Sequence, residues 1–161
     1  MRRIVIEPAG PTDLAVVRAM LEEYAAWVGV DLSFQDFTRE LRDLPGEYAP
    51  PRGGLYLARV GDAEAAGMVA FRGRSDGRAE MKRLFVRPAA RGTGLGRQLV
   101  QHVVDAARDA GYTHMILDTL PIMQDAQRMY ERFGFRDIAP YYDSPIPGTR
   151  YLEFDLTRRA G

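Results

Sequence analysis

Residues 91–100, RGTGLGRQLV, place three glycines and two arginines just ahead of an amphipathic run. Glycines at such spacing point to phosphate binding, and the spacing discriminates between the known ways of doing it. A dinucleotide fingerprint needs G-x-G-x-x-G, and counting from Gly92 puts Arg97 where the last glycine should be. A P-loop needs G-K-[ST] after four spacers, which is absent. Arg91-x-x-Gly94-x-Gly96 is a third pattern. Its glycines let successive N–H groups turn toward one anion at a helix N-terminus, where the dipole also favours negative charge. A pyrophosphate fits such a nest without many basic side chains. The alternative is a strand-to-helix turn that needs nothing more than positive φ.

Other chemistries lack their residues. The 161-residue chain has no cysteine, hence no thiolate nucleophile and no disulfide, and no Ser/His pair stands in a nucleophile motif. Two histidines are too few for a metal site at recognisable spacing, so no metal is expected. His102, sharing a helix with Arg97 and Asp105, is expected to face solvent, and His114 to be structural. The 22 basic and 22 acidic residues cancel, which leaves no global field to recruit nucleic acid or an anionic membrane. No stretch reaches the length of a membrane span and MRRIVIEPAG is too short for a secretory core, so a cytoplasmic protein is expected.

The elements that must position the turn follow from periodicity. Ile4-Val5-Ile6 reads as a strand ending at Pro8. Thr12 offers a cap to a helix through Leu14, Val17, Leu21, Tyr24 and Val28, stopped by Gly29. Ser33 and Asp36 resemble a capping box opening a second helix through Phe34, Phe37 and Leu41. Strands follow at 55–60 and 66–71 around GDAEA, then at 80–86 after the turn GRSDGR. The glycine turn feeds a helix with Leu95, Leu99, Val103 and Ala107 on one face. Met115-Ile116-Leu117 is another strand. Ile122, Ala126, Met129 and Phe133 mark a last helix, closed by Gly134. Ile138 and Leu152, Phe154 and Leu156 read as closing strands. Hairpins first and βα units later predict a single α/β domain, 1–161, with a mixed sheet and helices on both faces.

In this setting EMKRLFVRPAARGTGLGRQLV resembles the cofactor-binding motif of the GNAT superfamily, the acyl-CoA-dependent N-acyltransferases. LDTL and AQRMYERFGF are similar to its later signatures, and DLSFQDF and YYDSPIPG to segments of bacterial members. The resemblance implies a GNAT fold of six to seven strands and about four helices, splayed between strands 79–86 and 113–118. It implies acetyl-CoA as co-substrate, with its pyrophosphate on the amides of Arg91, Gly92, Thr93, Gly94, Leu95, Gly96 and Arg97. The pantetheine arm would pair with the strand at Leu84, Phe85 and Val86. One departure stands out: Met123 occupies the place, seven residues before Tyr130, where the family often has an asparagine. Gln124 or Asp125 could compensate.

The implied function is transfer of the acetyl group to a primary amine of a small molecule or peptide, by direct attack in a ternary complex. An alkylammonium, with pKa near ~10.4, must first lose a proton, and the leaving thiolate must gain one. Tyr130 is the candidate general acid, and the N–H near Leu84 the candidate oxyanion donor. Glu80 is the candidate base, unless Lys82 or Arg78 ties it up, and Asp118 is the second candidate. The early helices and the late loop, which wall the acceptor site in this fold, supply Glu23, Trp27, Asp31, Phe34, Gln35, Tyr141, Tyr142 and Asp143. Acidic and aromatic groups together suit a cationic amine. Dimers are common among similar proteins. The rival readings are a GNAT-fold module that binds acyl-CoA without turnover and a nucleotide-phosphate binder of another fold.

Overall fold

The structure, a computed structural model, describes residues 3–61 and 64–158. Seven strands form one mixed sheet: β1 (Ile4–Pro8), β2 (Gly54–Val60), β3 (Ala65–Gly73), β4 (Ala79–Val86), β5 (His114–Thr119), β6 (Arg136–Asp137) and β7 (Arg150–Asp155). They lie in the order β1-β2-β3-β4-β5-β7-β6. Four helices flank them: α1 (Leu14–Val28), α2 (Phe37–Asp43), α3 (Leu95–Asp109) and α4 (Gln124–Phe133). Part of the expected GDAEA turn lies outside the described residues.

Period-two alternation divides the core. On β3, Val69 and Phe71 face the helices α3 and α4, while Met68 and Ala70 join the layer built on α1. Because both faces are covered, β3 is a continuous apolar run. Helix α3 buries Leu95, Leu99, Val100, Val103, Val104 and Ala107, the stripe its spacing predicts. It approaches closely at Gly67, where an added Cβ would stand 3.0 Å from Leu99 Cδ1. Leu99 is fully buried. Leu99→Ala is expected to cost about 3 kcal/mol, the usual loss for a leucine in a packed core, read as a lower urea midpoint.

Some local expectations need correction. Thr12 lies in a short 3-10 turn at Pro11–Asp13, and α1 starts at Leu14. Ser33 and Asp36 form no capping box. Ser33–Gln35 is a 3-10 turn, and Asp36 adopts φ 59° before α2 begins at Phe37. Ile122 precedes α4 and is 53% exposed. Ile138 lies beyond β6, although its N–H still donates to Tyr151 O at 2.9 Å. His102 is half-buried against Tyr56, with ring centroids 4.6 Å apart, so it does not face solvent freely.

Two features of β4 shape the site. First, β4 and β5 are parallel neighbours that pair at just Ala79↔Met115 and Glu80↔Ile116. Beyond those pairs the strands diverge, so the β5-facing edge of residues 81–86 is left unpaired by the sheet. Second, β4 carries a bulge. Ala70 pairs with Lys82 and Met68 with Phe85, so Arg83 and Leu84 oppose Val69 alone. Arg83 takes φ 61°, unusual outside glycine. That conformation costs about 1 kcal/mol or more. It is held by the two-pronged contact of Arg83 with Glu40 (2.9 and 2.8 Å), by Gln35 Oε1 at 2.8 Å, and by the Tyr24 and Phe37 rings.

Candidate active site

Two half-sites meet where β4 and β5 part. The first is the glycine turn. Gly92 and Gly94 take φ 79° and 85°, and Gly94 sits as the left-handed cap ahead of α3. Among the described residues, no N–H from Gly92 to Arg97 donates to a protein acceptor. A helix leaves its first amides unpaired, and here the preceding turn adds more, all at the positive end of the α3 dipole. A Cβ on Gly94 would meet nothing within 4 Å. The space over the turn is therefore open to a ligand. Arg91 is anchored by Nε to Val86 O at 3.1 Å and lies over the Trp27 and Phe85 rings. Arg97 lies over Phe133.

The second half-site is the cleft itself, a cavity of about 30 Å³ walled by Tyr24, Gln35, Lys82, Leu84, Asp118 and Tyr130, among others. Tyr130 projects from α4 and is 5% exposed. Its hydroxyl makes no hydrogen bond to protein among the described residues. Burial, reinforced by Tyr24 and Asp118, pushes this phenol well above its ordinary value, so it keeps its proton at neutral pH. Asp118, at the divergent end of β5, accepts from Tyr142 OH at 2.6 Å and Gln35 Nε2 at 3.4 Å, both at Oδ2. Met123 borders the cleft as the residue capping α4. Asp125 points to solvent and pairs with Arg128, so it does not reach the place left by the missing asparagine.

Glu80 is 1% exposed and heavily engaged. Its Oε1 accepts from Arg72 Nε at 3.0 Å and Arg74 Nη1 at 3.4 Å, and its Oε2 from Tyr141 OH at 2.9 Å. The partners differ from those the sequence suggested, since Arg78 pairs instead with Asp76 and Glu153. The cross-strand register Arg72↔Glu80 explains the choice. Burial raises the Glu80 carboxyl, but the Lys82 and Arg72 charges and the hydrogen bonds outweigh it and hold it below 4.5. Glu40 is held low in the same way, chiefly by Arg83 against its own burial. Folded-state values below the ordinary ones contribute stability above the unfolded pKa, and that stability is lost as pH falls through the folded values. The urea midpoint is thus expected to be flat from pH 7 to 5 and to drop below about pH 4. Glu40→Gln should flatten the acid limb.

The expected acceptor residues split into groups. Phe34 stacks on Tyr142 (centroids 6.5 Å, 22°), and Tyr142 and Gln35 reach Asp118, so these four come together beside the cleft. Tyr141 joins through Glu80. Glu23 is bound to Arg87 at 2.7 Å, and Trp27 packs against Tyr24 and Phe85. Asp31 is turn chemistry, its Oδ1 accepting from Ser33 N at 2.8 Å. Lys82, Tyr24 and Arg83 were not anticipated as site residues. The signal available for Lys82 was an adjacent pair of cations, two residues beyond Glu80, inside a strand whose other residues are apolar. No group of three or more His, Asp or Glu suited to a metal occurs among the described residues.

The profile described as "Acetyltransferase (GNAT) family" matches residues 17–135. The chain belongs to the GNAT acetyltransferase family. An uncharacterized N-acetyltransferase of Schizosaccharomyces pombe is 39% identical over 151 residues, 92% of this chain and 91% of its own. A GNAT acetyltransferase of Staphylococcus aureus superposes with TM-score 0.79 at 18% identity, covering 96% of this chain and 99% of its own. The chain yncA of Salmonella typhimurium, solved with its cofactor acetyl-CoA, superposes with TM-score 0.67 at 20% identity, over 98% and 96% of the two chains. Both superpositions speak to the GNAT fold alone. Acetyl-CoA is the co-substrate general to the family. In this GNAT chain the amides of 92–97 could hold an anion such as a pyrophosphate, and the unpaired edge of 81–86 could pair with an extended amide-bearing arm.

Proposed function

We propose that this protein is an N-acetyltransferase that moves the acetyl group of acetyl-CoA directly to a primary amine, in the cytoplasm. One observation carries the reading. β4 runs from a cleft holding a protonated phenol, Tyr130, which bonds to no protein group among the described residues, to an anion nest at the α3 N-terminus. The thioester would lie between residues 81–86 and 117–119, with its carbonyl toward the β4 bulge near Leu84.

The proton inventory then runs through residues of this chain. Asp118 Oδ1, which accepts no hydrogen bond among the described residues, takes one proton from the acceptor ammonium. Glu80 is already committed to two arginines and Tyr141, which favours Asp118 over it. The freed amine forms the C–N bond, and the tetrahedral oxyanion is met by the amide near Leu84. When the C–S bond breaks, Tyr130 protonates the sulfur and recovers a proton from the new amide nitrogen. One proton per turnover passes from Asp118 to solvent. With no cysteine in the chain, a covalent enzyme thioester has no candidate nucleophile.

The test is thiol release from acetyl-CoA in the presence of pooled primary amines. Release that requires both components supports the reading. Acetyl-CoA binding with no acceptor-dependent release would favour the binding-only module instead.

A further inference from the structure

Lys82 is unusual among the charges of the cleft. Its side chain is 7% exposed, and one of its three donors is engaged, by Gln35 Oε1 at 3.2 Å. Asp118 Oδ1 stands 4.0 Å away, beyond hydrogen-bond length. The neighbouring buried charges are all matched at contact distance. Glu40 is held by Arg83, and Glu80 by Arg72 and Arg74. Among the described residues, Arg74 Nε and the Tyr48 hydroxyl are also buried without hydrogen-bond partners, but within the cleft the opening in the network is here, where an under-bonded ammonium faces a carboxylate oxygen that accepts no hydrogen bond. That point lies in the wall of the cleft, with Tyr130.

A buried ammonium short of acceptors is costly. A simple amine entering the cleft would bond to Asp118 and leave Lys82 as it was, adding one positive charge to a desolvated site. A carboxylate alone would bond to Lys82 and stand against Asp118. A molecule carrying both groups satisfies both residues and adds no net charge. Burial, with Arg83 nearby, holds the Lys82 ammonium below the ordinary lysine value, and an incoming carboxylate would relieve that. A cavity of about 410 Å³ between α2 and the turn at 46–48 lies on the other side of Gln35, which walls both it and the cleft.

We infer that the acceptor is of the amino-acid class, its carboxylate anchored by Lys82 and its amine held by Asp118. This rests on reading the cleft as an acetyl-transfer site. It replaces a simple cationic amine as the acceptor: the positive group is needed, but so is a negative one beside it.

The experiment compares each of a set of free amino acids with its own amide, following thiol release from acetyl-CoA and measuring acetyl-CoA binding separately by calorimetry. Wild-type protein is expected to turn over at least one free acid with kcat/KM at least about 10-fold above its amide. In Lys82→Gln that ratio should collapse to within about twofold, chiefly through a higher KM for the acid, and Lys82→Arg should restore part of it. A purely structural Lys82 would lower both members of each pair together. The wild-type ratio decides the matter even if Lys82→Gln fails to fold. Amides used as well as acids, or better, would overturn the inference and leave the acetyltransferase standing. So would failure of every free amino acid in protein that binds acetyl-CoA. Loss of acetyl-CoA binding itself would instead sink the reading on which the inference rests.

Discussion

Gly94→Asp is expected to weaken acetyl-CoA binding by at least about 100-fold while leaving the protein folded. Two separable effects combine there. Any side chain at φ 85° costs about 1–2 kcal/mol of backbone strain, and a carboxylate on that Cβ would stand in the open space over the amides of 92–97. Because no heavy atom beyond its own chain neighbours lies within 4 Å of the added Cβ, a clash with the rest of the fold is not part of the effect. Gly94→Ala isolates the strain, whose full ~1–2 kcal/mol corresponds to a loss of at most about 5- to 30-fold. Calorimetry on the three proteins checks this, with circular dichroism as the control for folding. Equal affinities in all three would mean that the turn holds no anion.

Tyr130→Phe is the second large effect. Loss of a positioned general acid typically costs about 10²–10⁴ in rate, and the fall should appear in kcat with the affinity for acetyl-CoA preserved. The substitution removes one oxygen that bonds to no protein group among the described residues. Stability should therefore stay within about 0.5 kcal/mol of wild type, as for a change that opens no cavity and orphans no partner. Raising the pH from 6 to 9 should not titrate this acid in the wild-type enzyme, because burial holds the phenol above its ordinary value. A Tyr130→Phe variant with unchanged kcat would remove Tyr130 from the chemistry.

Different parts of this architecture were legible to different degrees. The glycine turn could be read from spacing because positive φ and helix initiation are local demands, met within Arg91–Arg97. The α3 stripe and the apolar run of β3 were legible for the same reason. The divergence of β4 from β5 was not local. It followed only from resemblance, since β4 and β5 are separated in sequence by α3 and no local pattern tells where their pairing stops. The surroundings of Glu80 lay between these cases. The turn around Asp76 and Gly77 places Arg72 directly opposite Glu80 once the hairpin register is counted back. The polar network was hidden. Lys82 and Asp118 come from neighbouring strands, but Gln35 comes from a 3-10 turn mistaken for the start of a helix, and Tyr142 from a proline-rich loop. A one-residue bulge at Arg83 then re-aims the end of β4, which strict alternation cannot anticipate.

The most direct test of the central claim is amide hydrogen exchange with and without acetyl-CoA. Slowed exchange in residues 92–97 and 81–86, with a smaller effect at 117–119, is the predicted result, because a pyrophosphate and an extended arm would engage N–H groups the protein leaves free. Unchanged exchange in those segments at saturating acetyl-CoA, or protection confined to another face, would contradict the account.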